Sequence, residues 1–200
     1  MSAAPFPGFE HLYLWSNQDL RPRAFVAGED SPERARSIAI GTGRLRLDAP
    51  LQARWRLGSE VPSDLVAAPY GSPNIVRERV VRALAACGAT GWGTYPATLY
   101  GQNGAPIEGF VGLTVTGRCG PWNPASARRI SAARDGTLAE AFEGVSFDPA
   151  SWDGTDVFTD AATATFPFVT DRVKRALDEA GCAPGTLVPL AQARLWRARR

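Results

Sequence analysis

The chain has 200 residues, 44% of them hydrophobic and 10% aromatic, and its net charge is +2. This apolar fraction belongs to a packed protein rather than a disordered one, and so small a charge gives no case for a dedicated nucleic-acid binder. No run reaches the roughly 18 apolar residues of a membrane helix, and the opening MSAAPFPGFEHLYLW lacks the basic start and apolar run of a secretory signal.

Residues 1–8 read as a loose leader and 9–15 as an opening strand. Residues 16–36 hold Pro22, Gly28 and Pro32 and read as a loop with one short turn. Two alternating stretches follow, Arg44 to Asp48 and Leu51 to Leu57. In the second, Leu51, Ala53, Trp55 and Leu57 share one face and Gln52, Arg54 and Arg56 the other. A proline-punctuated connector leads to Ser72, a helix cap, and Pro73, a first helical residue. After that helix, Trp92 to Tyr100 and Ile107 to Gly117 read as two arms of a hairpin joined across Asn103-Gly104. The segment RCGPWNP is irregular, and residues 125–143 read as partly helical, broken at Gly136. Val145 and Phe147 read as a strand end. The extended Phe166 to Val169 leads to a second helix capped by Thr170, with Asp171 at its positive end. The basic ending ARLWRARR reads as a frayed, solvated terminus, with contact to an acidic partner or nucleic acid as the alternative.

The two helices belong to a degenerate repeat. RVVRALAACGATGWGTYP starts at Arg79 and RVKRALDEAGCAPGTLVP at Arg172, 93 residues later. The copies agree at Arg79/Arg172, Val80/Val173, Arg82/Arg175, Ala83/Ala176, Leu84/Leu177, Gly88/Gly181 and Pro96/Pro189. Their apolar spacing is that of a helix burying one face, and a glycine ends each. The expected fold is α+β, with mostly antiparallel strands and two long helices related by this repeat. Residues 1–58 read as a strand-rich segment, either separate from 59–200 or continuous with it.

The positive charge is almost all arginine, since Lys174 is the only lysine. Arginine favours planar, bidentate contacts with carboxylates. Cys87, Cys119 and Cys182 are odd in number and lack C-x-x-C spacing, which points to reduced thiols in the cytoplasm. Cys87 reads as a small hydrophobe on the helical stripe; a Cys87–Cys182 disulfide is the alternative.

A catalytic site leaves little trace. His11 is the only histidine, inside the first expected strand, so a histidine metal site or a triad has almost nothing to draw on. There is no G-x-S-x-G, H-E-x-x-H or phosphate-binding loop, and the run from Gly41 has Arg46 where a dinucleotide fingerprint needs its third glycine. Asp148, Asp153, Asp156 and Asp160 could hold a hard cation, or they could build turns around Gly154. Trp55 and Trp92 fit core strands. Trp122 and Trp152 lie in loops, where they either plug the core or anchor a protein interface.

Three stretches, in this order over residues 59–190, resemble a bacterial family of immunity proteins. They are NIVRERVVRALAACGATGWGTYPATL, then GAPIEGFVGLTVTGRCG, then FDPASWDGTDVF with FPFVTDRVKRALDEAGCAPGTLVPL. The family was first named from a myxobacterial protein and occurs in polymorphic-toxin gene neighbourhoods. Cys119 fits its pattern, while RCGPWNP is less acidic than the family's loop. The resemblance implies a cytoplasmic protein, without catalytic residue or cofactor, that binds and blocks a cognate toxin. It carries over no binding residue. From their loop positions, Trp122, Trp152, Asp153 and Asp156 are the expected partner contacts. An adaptor for a secreted effector and a metal-assisted enzyme using Asp148 to Asp160 are the alternatives.

Overall fold

The computed structural model describes residues 9–16, 25–29, 33–66, 74–130, 139–161, 167–182 and 186–198. The chain begins with strands β1 (Leu12–Ser16) and β2 (Phe25–Glu29), helix α1 (Arg34–Gly41) and strand β3 (Leu51–Gly58). Strands β4 (Leu65–Val66) and β5 (Asn74–Arg77) lead into helix α2 (Glu78–Ala86). Then come β6 (Trp92–Tyr95), β7 (Ala97–Tyr100), β8 (Pro106–Ile107), β9 (Phe110–Val115) and β10 (Gly117–Cys119). Strands β11 (Arg128–Ile130), β12 (Ala139–Glu143), β13 (Val157–Asp160) and β14 (Pro167–Thr170) precede helix α3 (Asp171–Glu179). Strands β15 (Thr186–Pro189) and β16 (Arg194–Ala198) follow. The fold is α+β. Among the described residues its pairings are antiparallel except β3 with β7 and β10 with β13.

Two sheets carry the helices. One has the order β4-β5-β9-β6, the other β10-β13-β14-β1-β15. In the first, β5 and β6 flank the antiparallel β9, and α2 connects them. In the second, β14 and β15 flank the antiparallel β1, and α3 connects them. The registers correspond. Val76 faces Leu65 on one side and Val111 on the other, as Val169 faces Val157 and Tyr13.

Both helices bury the larger aliphatic residues of the stripe that their spacing sets out, while Cys87 and Ala176 are half-buried and Ala180 is exposed. Val80, Ala83 and Leu84 of α2 join Val173 and Leu177 of α3 in one core with Trp15, Val76, Leu113, Val157 and Val169. Each of these larger aliphatic side chains stabilises the fold by about 1.5–3 kcal/mol. The helices also end alike. Gly88 (φ 64°) and Gly181 (φ 61°) take the left-handed turn. Ala89 N–H then donates to Leu84 O, and Cys182 N–H to Leu177 O, the six-to-one bond that closes such a cap.

Neither helix is long. Each has nine residues, because β-branched residues ahead of it belong to strands: Ile75 and Val76 lie in β5, and Val169 in β14. The expected cap Ser72-Pro73 lies outside the described residues, as do residues 1–8, Gly136, Phe166 and the last two arginines. Thr170 precedes α3 but makes no side-chain cap; its Oγ1 donates to Asp156 Oδ1 at 3.0 Å instead.

Other expectations change. The segment 16–36 contributes β2 and the start of α1. Arg44 to Asp48 is bent, irregular chain instead of a strand. The expected hairpin splits at Pro96: β6 joins β9, while β7 joins β3 and β8 in the sheet β2-β3-β7-β8. Residues 128–130 and 139–143 are strands, which pair with each other and, through β12, with β16. Most of the basic ending is therefore an ordered strand. Val145 and Phe147 are buried outside any strand. Leu57 is 59% exposed because β3 outruns the core beneath it. His11 sits exposed in the turn before β1. Since β1 lies between β14 and β15, and β3 pairs with both β2 and β7, the three described strands of the first 58 residues share sheets with strands of 59–200. Among the described residues no helix is long and apolar enough to cross a membrane.

The three thiols are free. Cys182 lies close enough to Arg79 and Arg82 to feel their charge, whereas Cys87 caps the other end of α2. The alternative Cys87–Cys182 disulfide is not formed in this structure.

Candidate functional site

Residues 148–156 form a surface loop braced by its own aspartates. Asp148 Oδ1 accepts the Ala150 N–H at 3.0 Å and opens a 3-10 turn, Pro149–Ser151. Ser151 Oγ donates to Asp148 O and accepts the Gly120 N–H at 2.8 Å, tying the loop to its neighbour. Asp153 Oδ1 accepts the Thr155 N–H (3.1 Å) and hydroxyl (2.6 Å), and Oδ2 accepts the Arg118 N–H (2.7 Å). Burial works against the Asp153 charge. The donors from Thr155 and Arg118 outweigh it and hold the carboxyl below its ordinary range. A cavity of about 420 Å³ opens beside the loop, lined by Pro121, Asn123, Ser146, Phe147, Asp148 and Ser151.

The four expected contact residues separate into two kinds. Trp152 is half-buried, its ring 5.0 Å from that of Phe158 and its indole N–H donating to Thr155 O at 3.1 Å. Asp153 is exposed. Trp122 and Asp156, in contrast, are only 9% exposed, which takes both out of reach of a partner docking on this conformation. Trp122 plugs the core, edge-on to Phe142 at 5.3 Å. Asp156 accepts the Thr90 N–H and hydroxyl at 3.0 and 3.1 Å, the Thr170 hydroxyl, and Arg172 at 3.2 Å. It ties the start of β13 to the start of α3.

The aspartates expected to share a cation do not converge. Asp148 and Asp153 turn to loop donors, Asp156 to Thr90, Thr170 and Arg172, and Asp160 to the Trp122 N–H at 3.0 Å. Among the described residues no three His, Cys, Asp or Glu side chains gather as a metal site requires. Cys119, buried beneath this region, has its thiol pushed up to about 12 by burial, with the Asp160 and Asp153 charges adding to the effect.

A second feature escaped the sequence. Asp64, 1% exposed, stands just before β4 and receives Arg79 (2.9 and 2.6 Å) and Arg77 (3.3 Å). The hydrogen bond to Asp64 pushes the Arg79 guanidinium above its usual range. Arg77 also lies over the Phe110 ring at 4.6 Å. A cavity of about 480 Å³ opens here, lined by Val61, Pro62, Asp64, Arg77, Arg79 and Arg82, among others. The one signal in the chain was the match of Arg79 to Arg172; the buried acid 15 residues upstream has no such mark.

No family model matches this chain, and neither does any curated protein.

Proposed function

We propose that this chain is an immunity protein that binds and neutralises a cognate bacterial toxin through a protein interface in the cytoplasm, without a cofactor and without catalysis of its own. The resemblance over residues 59–190 motivates the reading. The observation that carries it is the braced loop, residues 148–156. Hydrogen bonds inside it and to Arg118 and Gly120 fix its shape, so little conformational entropy is lost when a partner docks. Trp152 and Asp153 are its outward contacts, beside the cavity floored by Phe147. Trp122 and Asp156 support the loop from within. An interface of this kind covers about 800 Å² on each partner.

The duplication belongs to the same proposal. The matched registers and helix caps support descent of the two strand–helix–strand units from one ancestral unit, with the middle strand supplied by β9 in one and by β1 in the other.

Co-expression tests the reading. The chain produced with the toxin domain encoded beside it restores growth and co-purifies in equal amount. An adaptor would co-purify without restoring growth. An enzyme using Asp148 to Asp160 would gain thermal stability with calcium, magnesium or manganese, an outcome that the divergent carboxylates disfavour.

A further inference from the structure

We infer that the cleft of Arg77, Arg79 and Arg82 is a second docking point, one that receives an acidic segment of the protein partner. The inference rests on the immunity reading for the identity of that partner. Its physical basis is a charge left over in a shaped cavity. Three guanidinium groups face two carboxylates, Asp64 and Glu78. Asp64 is shared by Arg77 and Arg79, and Arg82 stands 3.7 Å from Glu78, beyond hydrogen-bond length. Arg79 spends Nε and Nη2 on Asp64, which leaves Nη1 without a partner among the described residues. Arg77 is held in place by the Phe110 ring and Asp64. Fixed guanidinium edges of this kind take a carboxylate with little further ordering.

The other unit supplies an internal comparison. There Asp156 is tied to a single arginine, Arg172, and Thr170 occupies the place of Arg77. The backbone contact is the same in both: Arg77 N–H donates to Asp64 O at 2.9 Å, and Thr170 N–H to Asp156 O at 3.0 Å. At Asp156, Arg172 is joined by the Thr90 N–H and hydroxyl and by the Thr170 hydroxyl in holding the acid, so neutral donors stand where Arg77 stands at Asp64, and Arg77 brings to this cleft a positive charge that the other unit lacks. Val61, 70% exposed, gives the cleft an apolar rim that a peptide's flanking side chains can cover.

The probe is fluorescein-labelled hexaglutamate, followed by anisotropy at low salt, with hexalysine as control. Hexaglutamate binds the wild-type protein and hexalysine does not. Arg77→Thr, which copies the other unit, and Arg82→Gln, whose side chain is 71% exposed, each weaken binding about fivefold and flatten its salt dependence. Equal binding by variants that keep the wild-type melting temperature overturns the inference. So does displacement of hexaglutamate by millimolar inorganic phosphate, which would assign the cleft to a small anion. Applied to the toxin complex, the same variants separate the two claims. Unchanged toxin affinity in Arg77→Thr and Arg82→Gln removes the cleft from the interface and leaves the immunity reading standing. Hexaglutamate binding that is lost in these variants, in a protein that does not protect against the toxin, removes the immunity reading and keeps an acidic-segment site.

Discussion

Arg79 holds the buried Asp64 through two nitrogens, Nε to Oδ1 at 2.9 Å and Nη2 to Oδ2 at 2.6 Å. The contact joins the approach to β4 with the first turn of α2, across 15 residues of chain. Arg79→Ala leaves an acid that is 1% exposed with only part of its partners. Because Arg79 itself is half exposed, the loss is moderate, about 1–3 kcal/mol in urea unfolding. Arg172→Ala, at the corresponding place, costs less, since Thr90 and Thr170 still satisfy Asp156. Equal losses in the two variants would contradict this ordering.

The two loop tryptophans separate in stability. Trp122→Ala empties a site in the main aromatic core and destabilises by about 3–5 kcal/mol. Trp152→Ala gives up the face on Phe158 and one hydrogen bond while remaining half solvated, so it loses about 1–2 kcal/mol. Thermal melts of both variants at one protein concentration check the order.

Gly117 lies where two sheets meet. A Cβ there would run into Thr155 Oγ1 and the carbonyl of Val157. Gly117→Ala therefore forces β10 away from β13 and costs more than about 2 kcal/mol. Gly88→Ala meets open space and pays only for its left-handed backbone, about 1 kcal/mol. Chemical denaturation of both proteins measures the difference.

Cys119 gives a pH dependence. Its thiol in the folded protein titrates at about 12, against 9.0 without the burial. Above pH 9 the unfolded chain releases this proton while the folded chain keeps it. Stability from this group is thus fully present below pH 9 and is lost as pH rises toward 12. Cys119→Ala flattens that part of the stability curve. In the wild-type protein, iodoacetamide at pH 8 modifies the partly buried Cys87 and Cys182 before Cys119.

What the sequence disclosed follows from local physics. The apolar stripes from Val80 to Leu84 and from Val173 to Leu177, with Gly88 and Gly181 after them, mark both helices because spacing and backbone freedom are local properties. The helix starts did not show, because Val76 continues the apolar spacing of Val80, Ala83 and Leu84 while pairing in β5. The break at Pro96 was also hidden. Trp92 to Tyr100 alternates as one strand, and only the competing partners β9 and β3 divide it. At the candidate site, the turn chemistry of Asp148 and Asp153 was legible from Gly154 and Pro149, since each aspartate bonds within two residues of itself. Asp64 and Asp156 were not. Their partners run from Arg77, 13 residues from Asp64, to Thr90, 66 residues from Asp156, and arrive only through the sheet order.

The most direct test of the immunity reading is growth of a bacterial host that expresses a cognate toxin domain with and without this chain, at matched and verified levels of folded protein. An immunity protein gives arrest with the toxin alone, growth with both, and an equimolar complex that weakens when Trp152 or Asp153 is replaced by alanine. Arrest that persists with the folded chain present and unbound would contradict the immunity reading.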